Sequence, residues 1–218
     1  MNVWIDGLDV TAVRRRLFTR WIGTHLYVFA AVPSTRNALR ELARAGAHAG
    51  TVVMAETEAA GPPGGSHANL YASVLVRPAK MAVDRCVLSF VSALALADAM
   101  HALGAAPAVQ APDDVVIGPQ RVATTHVDVV GTGDAEQILI GVSVNVNVDV
   151  AALPQGETSL REHLGRPIDR NALAGDYLNH LEKWLDRYRT QGAGSIVSAW
   201  DERDVHRLGA ERTMTAQS

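Results

Sequence analysis

An α+β domain is the fold class this sequence predicts: a mixed, largely antiparallel sheet with helices packed on it. Two observations carry that prediction. Strand-like and helix-like segments are intermixed without the strict βαβ alternation that marks a parallel sheet, and one stretch reads as a clear β-hairpin. No internal repeat and no sustained heptad pattern competes with this reading.

Taken in order, residues 11–18 read as a short basic helix capped by Thr11, within an N-terminal extension over 1–21. The apolar run 26–32 suits a strand. Pro33-Ser34-Thr35 then opens a helix, with Ser34 as natural N-cap and Leu39, Leu42 and Ala43 recurring on one face. Gly46 or Gly50 ends it. The β-branched segment 51–56 reads as a strand, and the Gly/Pro-rich run 61–65 as a loop. Residues 69–76 form the next strand, and an apolar helix runs from about 83 to 103, stopped by Gly104.

Residues 107–117, broken by prolines and an Asp-Asp pair, read as a loop with short strand pieces. Segments 122–130 and 137–148 make the hairpin, joined by Gly131-Thr132-Gly133-Asp134. Ser159-Leu160-Arg161-Glu162 matches a capping box and starts a short helix ending at Gly165. Asp169 caps a longer helix, in which Leu173, Tyr177, Leu181, Leu185 and Tyr188 form a core-facing stripe. The main domain is expected over 1–190. A short tail over 191–218 has a helical piece around Trp200, which docks it on the rest. That tail is too short for a five-stranded barrel.

Composition sets limits on function. At 218 residues the chain can bury one substantial core, and 48% hydrophobic with 20% charged residues is a globular balance. A net charge of -3 offers no basic excess for nucleic acid as the main partner. One cysteine, Cys86, excludes an internal disulfide and a multi-Cys zinc site, and it reads as a buried structural thiol. Asp6 and Asp9 interrupt any secretory h-region, and Asp98 and His101 mark the apolar helix as buried, so no membrane association and a cytoplasmic location are expected. Lysine is scarce, with Lys80 and Lys183 alone among 20 basic residues.

Several segments, in order and spacing, resemble the biotin protein ligase / lipoate ligase catalytic-domain family. Pro33-Ser34-Thr35-Arg36-Asn37 resembles its STN element. Residues 50–58 (GTVVMAETE) resemble the strand leading into its Gly/Arg loop, and Asn69-Leu70-Tyr71-Ala72-Ser73 the NLY-S strand after it. Ala111-Pro112-Asp113-Asp114 stands where the family has KWPND, and residues 141–147 (GVSVNVN) resemble GIGINVN. The series spans residues 22–189. It implies a mixed-sheet domain that joins biotin to ATP, with Mg, and passes biotin to a lysine of a biotin/lipoyl carrier protein. Such chemistry needs donors and cations at the phosphate, exclusion of water from the mixed anhydride, and an apolar slot with a few polar groups.

The resemblance places ligand-binding roles on Ser34, Thr35, Glu58, Gly61, Gly64, Gly65, His67, Asn69, Gln110, Asp113 and Asn145, and catalytic roles on Arg121 and Asp114. The departures from the family fall where a nucleotide would be held. The GRGRxGRxW loop is replaced by residues 61–68, with no arginine and no tryptophan, and Pro62 and Pro63 supply no N–H. Gln110 replaces the lysine of KWPND and Asp113 its asparagine. Arg121 aligns with the lysine of a K-x-x-G strand, and Thr124 with its glycine. A charge-assisted hydrogen bond to phosphate is worth about 1.5–3 kcal/mol, so each missing cation weakens nucleotide binding by that order.

Nearby, His126 and Asp128 share one strand face, as a metal or acid/base pair or as ordinary strand polarity. Three readings therefore stand together. The first is a divergent ligase for biotin or a related acyl cofactor. The second is a pseudoenzyme with a degenerate active site that binds a small ligand or a carrier protein. The third is a repurposed hydrolase or metal enzyme built on Asp113, Asp114 and His126. The sheet edge would allow a homodimer, although no residue marks one. Nothing in the chain resembles the DNA-binding domain that repressor activity requires.

Overall fold

The structure is a computed structural model, and it describes residues 7–59, 68–77, 83–131 and 136–207. Seven strands form one sheet: β1 (His25–Val32), β2 (Thr51–Glu58), β3 (Asn69–Val76), β4 (Pro107–Gln110), β5 (Asp114–Ile117), β6 (Gln120–Val130) and β7 (Gln137–Asn145). Their order is β1-β2-β3-β7-β6-β5-β4. Only β1 and β2 pair in parallel, through the crossover made by α2 (Thr35–Arg44), and every other neighbour is antiparallel. The mixed, largely antiparallel α+β sheet expected from the sequence is therefore the fold.

Two helices build the main core on one face. In α3 (Arg85–Ala102), eleven residues from Val87 to Met100 are buried. Its length and apolarity would suffice to cross a membrane, yet most of it is enclosed by the fold. Asp84 caps it, accepting from the N–H groups of Cys86 and Val87, and Gly104 takes φ +94 just past its end. Cys86 itself is exposed, which corrects the buried reading: it occupies the first turn, on the side that turns away from the sheet.

The second core helix, α5 (Arg170–Gln191), starts at Asp169, whose side chain accepts from Asn171 and Ala172. Its expected stripe, Leu173, Tyr177, Leu181, Leu185 and Tyr188, is buried. The short α4 (Leu160–Leu164) begins at Ser159 and ends on Gly165 in the left-handed region, as the capping box and glycine indicate. Trp200, on α6 (Ala193–Asp201), stacks on Phe90 with ring centroids 4.0 Å apart and docks the C-terminal helix on α3.

Two expectations are revised. The N-terminal helix, α1, covers only Val10–Arg14, and its cap is Asp9, which accepts from the Ala12 N–H; Thr11 lies inside the first turn. Residues 107–117 hold a regular hairpin of β4 and β5 that closes the sheet edge, because Val109, Val115 and Val116 have core to bury against. The helix α2 ends at Arg44 with Gly46 at φ +92 just past its C-cap, so of the two glycines expected to stop it Gly46 does so. Gly50 serves a different purpose: a Cβ there would stand 2.0 Å from the carbonyl oxygen of Trp21. The hairpin turn at 131–134 lies largely outside the described residues, though the β6–β7 register runs to Val130 opposite Gln137.

Candidate functional site

Strand alternation separates two sheet faces. Leu70, Ala72 and Val74 of β3 enter the main core, so Asn69, Tyr71 and Ser73 face the opposite side. Register carries this second face across the sheet. Asn145, Ser143 and Gly141 lie opposite Asn69, Tyr71 and Ser73, while Thr124 and His126 lie opposite Ser143 and Gly141. Helix α2 covers one end, where Leu39 and Ala43 bury Val53, Leu75 and Leu139. Gly141 permits this approach, since a Cβ there would stand 3.1 Å from Ser73 Oγ and 3.2 Å from Arg36 Cγ. Beyond the N-terminus of α2 the face is polar, lined by Tyr71, Ser73, Thr124, His126 and Ser143.

The N-terminus of α2 enters this face. Thr35 Oγ1 and Ser73 Oγ are hydrogen-bonded at 2.9 Å, and both residues are buried. Ser34 holds the N-cap position with extended backbone, but its side chain makes no capping hydrogen bond. The Glu58 carboxylate accepts from the Thr35 N–H instead. The positive end of the helix, a ready anion site, is thus filled by a carboxylate of the chain itself.

Gln110, Asp114, Arg121 and Glu157 converge around a cavity of about 270 Å³. The Arg121 guanidinium donates to Glu157 and lies 3.6 Å from Asp114. Its hydrogen bond to Glu157 holds the positive charge more firmly, against the opposing effect of burial. Glu157 also accepts from Asn145 Nδ2 at 3.0 Å, and Asp114 from Thr124 Oγ1 at 3.2 Å. Glu157 is a site residue that sequence reasoning missed: it lies 36 positions from Arg121, and no local motif marks it. The sequence places Arg121 as a free anion contact, whereas the structure places it in an ion pair.

Asp113 and His126 lie between these two groups. Burial, then the neighbouring Asp114 carboxylate, raise the Asp113 pKa, while His126 and Arg121 oppose the rise. Burial, then the Arg36 charge, lower the His126 pKa, against Asp113, Asp128 and Glu58. His126 and Asp128 do share a face, but Asp128 pairs with Arg40 at 2.9 Å and Arg36 at 3.4 Å, which explains it as part of an arginine cluster. Among the described residues no group of three or more His, Cys, Asp or Glu side chains could hold a metal ion.

Asn69 is buried at 2% exposure. Its Nδ2 donates to the Tyr71 hydroxyl at 3.1 Å, and its backbone carbonyl accepts from Arg170 at 2.9 Å. Gly61, Gly64, Gly65 and His67 lie outside the described residues. Of the remaining expected site residues, Thr35, Asn69, Gln110, Asp113, Asp114, Arg121 and Asn145 come together at one end of the second face, and Glu58 bridges to α2.

Comparisons with known proteins show the family and the fold. The family model of the biotin/lipoate A/B protein ligase family matches residues 28–145. The bifunctional ligase/repressor BirA of Escherichia coli is 32% identical over 142 residues, which is 63% of this chain and 44% of BirA. The chain thus aligns with under half the length of that relative. The biotin–[acetyl-CoA-carboxylase] ligase of Paracoccus denitrificans is 32% identical over 162 residues, 69% of this chain and 67% of that protein. In fold, the biotin protein ligase of Aquifex aeolicus, solved with biotin and ATP, superposes with a TM-score of 0.70 at 20% identity, over 84% of this chain and 79% of that one. This chain belongs to the biotin/lipoate A/B protein ligase family.

Proposed function

We propose that this chain has a biotin protein ligase-like function. It holds biotin or a related acyl cofactor on the polar sheet face beside the N-terminus of α2. It then passes that group, through an adenylate formed with ATP and Mg, to a lysine of a biotin/lipoyl carrier protein. One observation carries the reading: the ordered family motifs of the sequence converge in space at one end of one sheet face. The A. aeolicus relative, solved with both biotin and ATP, supports it.

A second reading, a non-catalytic ligand- or carrier-binding member, is favoured by a specific observation. Two positions suited to an anion among the described residues are occupied by carboxylates of the chain, Glu58 at the α2 N-terminus and Glu157 on Arg121. A triphosphate meets acceptors there, and Asp113 and Asp114 add to them. Calorimetric titration with biotin, lipoate, ATP and biotinyl-adenylate, followed by mass spectrometry of a carrier domain, decides between the two. Sub-micromolar adenylate binding and a modified carrier lysine are expected of the ligase. An unmodified carrier and no ATP binding would leave the non-catalytic reading.

The Arg121 ion pair gives a sharper handle. Glu157→Gln removes the charge that neutralises Arg121 and is expected to strengthen ATP binding roughly tenfold, the size of one charge-assisted contact. Unchanged ATP affinity in this variant would show that Arg121 does not meet the nucleotide.

A further inference from the structure

The ligand face is poor in fixed donors and rich in acceptors. The Glu58 carboxylate stands at its α2 end and the half-buried Asp113 at its β5 end. Among the described residues the nearby cations Arg121, Arg36 and Arg40 are engaged: Arg121 pairs with Glu157 and Asp114, and Arg36 and Arg40 with Asp128. Residues 60–67, which join β2 to β3 at this end, contain no lysine or arginine.

An independent feature points the same way. Asn69 is buried at 2% exposure on this face, and its Oδ1 has no hydrogen-bond partner. The Tyr71 hydroxyl takes its Nδ2, so the amide presents its oxygen. A buried amide oxygen without a donor is unfavourable unless something brings one. Where the family motif GIGINVN has its second glycine, this chain has Ser143, and where K-x-x-G has glycine it has Thr124. Both side chains sit in one cross-strand row with Tyr71, and they replace bare backbone by hydroxyls that accept as readily as they donate.

We infer that this face takes a carboxylic acid whose head group is a hydrogen-bond donor carrying positive charge, of the cyclic guanidine or amidine class, in preference to a neutral urea or a dithiolane ring. Glu58 and Asp113 supply the counter-charge, and Asn69 Oδ1 accepts one head-group N–H. The inference rests on the proposed placement of the ligand on this face, but requires neither ATP nor transfer.

The test compares two isosteric probes on the full chain by calorimetry at neutral pH, without nucleotide. Biotin carries the neutral urea. 2-Iminobiotin has the same skeleton and carboxylate tail, with the urea oxygen replaced by a protonated nitrogen. The difference between them isolates the head group. 2-Iminobiotin is expected to bind roughly tenfold tighter than biotin or better, since a charge-assisted hydrogen bond replaces an acceptor facing acceptors. In Glu58→Gln the preference should fall to about threefold or less, half of the decade that one such contact supplies. Equal affinity, tighter biotin binding, or binding of neither probe would overturn the inference. Failure of the ligase reading shows separately, as an unmodified carrier lysine with the 2-iminobiotin preference intact.

Discussion

Replacing Arg170 with methionine is expected to destabilise the protein by about 3–5 kcal/mol, the usual consequence of removing one partner from a buried ion pair. Arg170 opens α5 but is fully buried, and its Nη1 lies 2.8 Å from Glu56 Oε2. Methionine approximates the arginine stem, so packing is largely kept and the effect reports on charge. The Glu56 carboxylate would remain enclosed toward the end of β2, keeping the Leu8 N–H but losing the Arg170 charge. Arg170 Nη1 also holds the Asn69 carbonyl at 2.9 Å, so one guanidinium ties the end of β2 to the start of β3. Urea denaturation measures the loss. In the double variant Glu56→Gln/Arg170→Met the cost should fall below that of the single, because no uncompensated charge is left inside. A single variant within about 1 kcal/mol of the parent would mean that water reaches the pair, which its burial opposes. Because Asn69 lies on the sheet face proposed to hold the ligand, ligand affinity should weaken along with stability.

The contrast between what was legible and what was not follows from range. Residues 69–76 were bounded correctly because apolar residues at alternate positions, Leu70, Ala72, Val74 and Val76, are a local signal. Ser159, Asp169 and Gly165 announced their helix ends because capping acts within three residues. At α1 the same logic chose Thr11, although Asp9 was the stronger acceptor two positions earlier. The site divided in the same way. Its strands and the α2 entry were readable, whereas the Glu58 cap on Thr35 spans 23 positions and the Glu157 partner of Arg121 spans 36. No periodicity encodes such pairs: the fold brings them together. Exposure of Cys86 was missed because its neighbours Val87 and Leu88 are apolar, while the helix turns each residue by about 100° and leaves Cys86 on the outer side.

The same contrast sets the second large effect, at Glu182. The apolar stripe of α5 was visible, but its opposite side carries Asn171, Asn179 and Glu182, all buried. Offsets of eight and eleven residues place the three on one side of the helix. Together they hold the N-cap of α1 and the segment that follows the helix. Asn171 takes the Asp9 N–H at 2.8 Å, and Asn179 the Phe18 N–H at 2.7 Å. Glu182 takes the N–H groups of Arg20, Trp21 and Ile22 at 2.7, 3.1 and 3.0 Å.

Burial alone would raise the Glu182 pKa, but the backbone donors of Arg20, Ile22 and Trp21 outweigh it and lower the value. A carboxyl depressed in the folded state contributes stability that is full above its unfolded value of about 4.3 and disappears as pH falls through the lower folded value. Glu182→Ala leaves three backbone donors unmet and is expected to cost about 3 kcal/mol at neutral pH. Glu182→Gln keeps one acceptor oxygen and should cost about 1–2 kcal/mol. Its gap from the parent should be constant at neutral pH and close in acid. His180 and His126, both lowered chiefly by burial, also make the parent lose stability as pH falls, but they are present in both proteins and cancel in the difference. A gap that stays open well below pH 4 would show that Glu182 acts through shape and not through its charge.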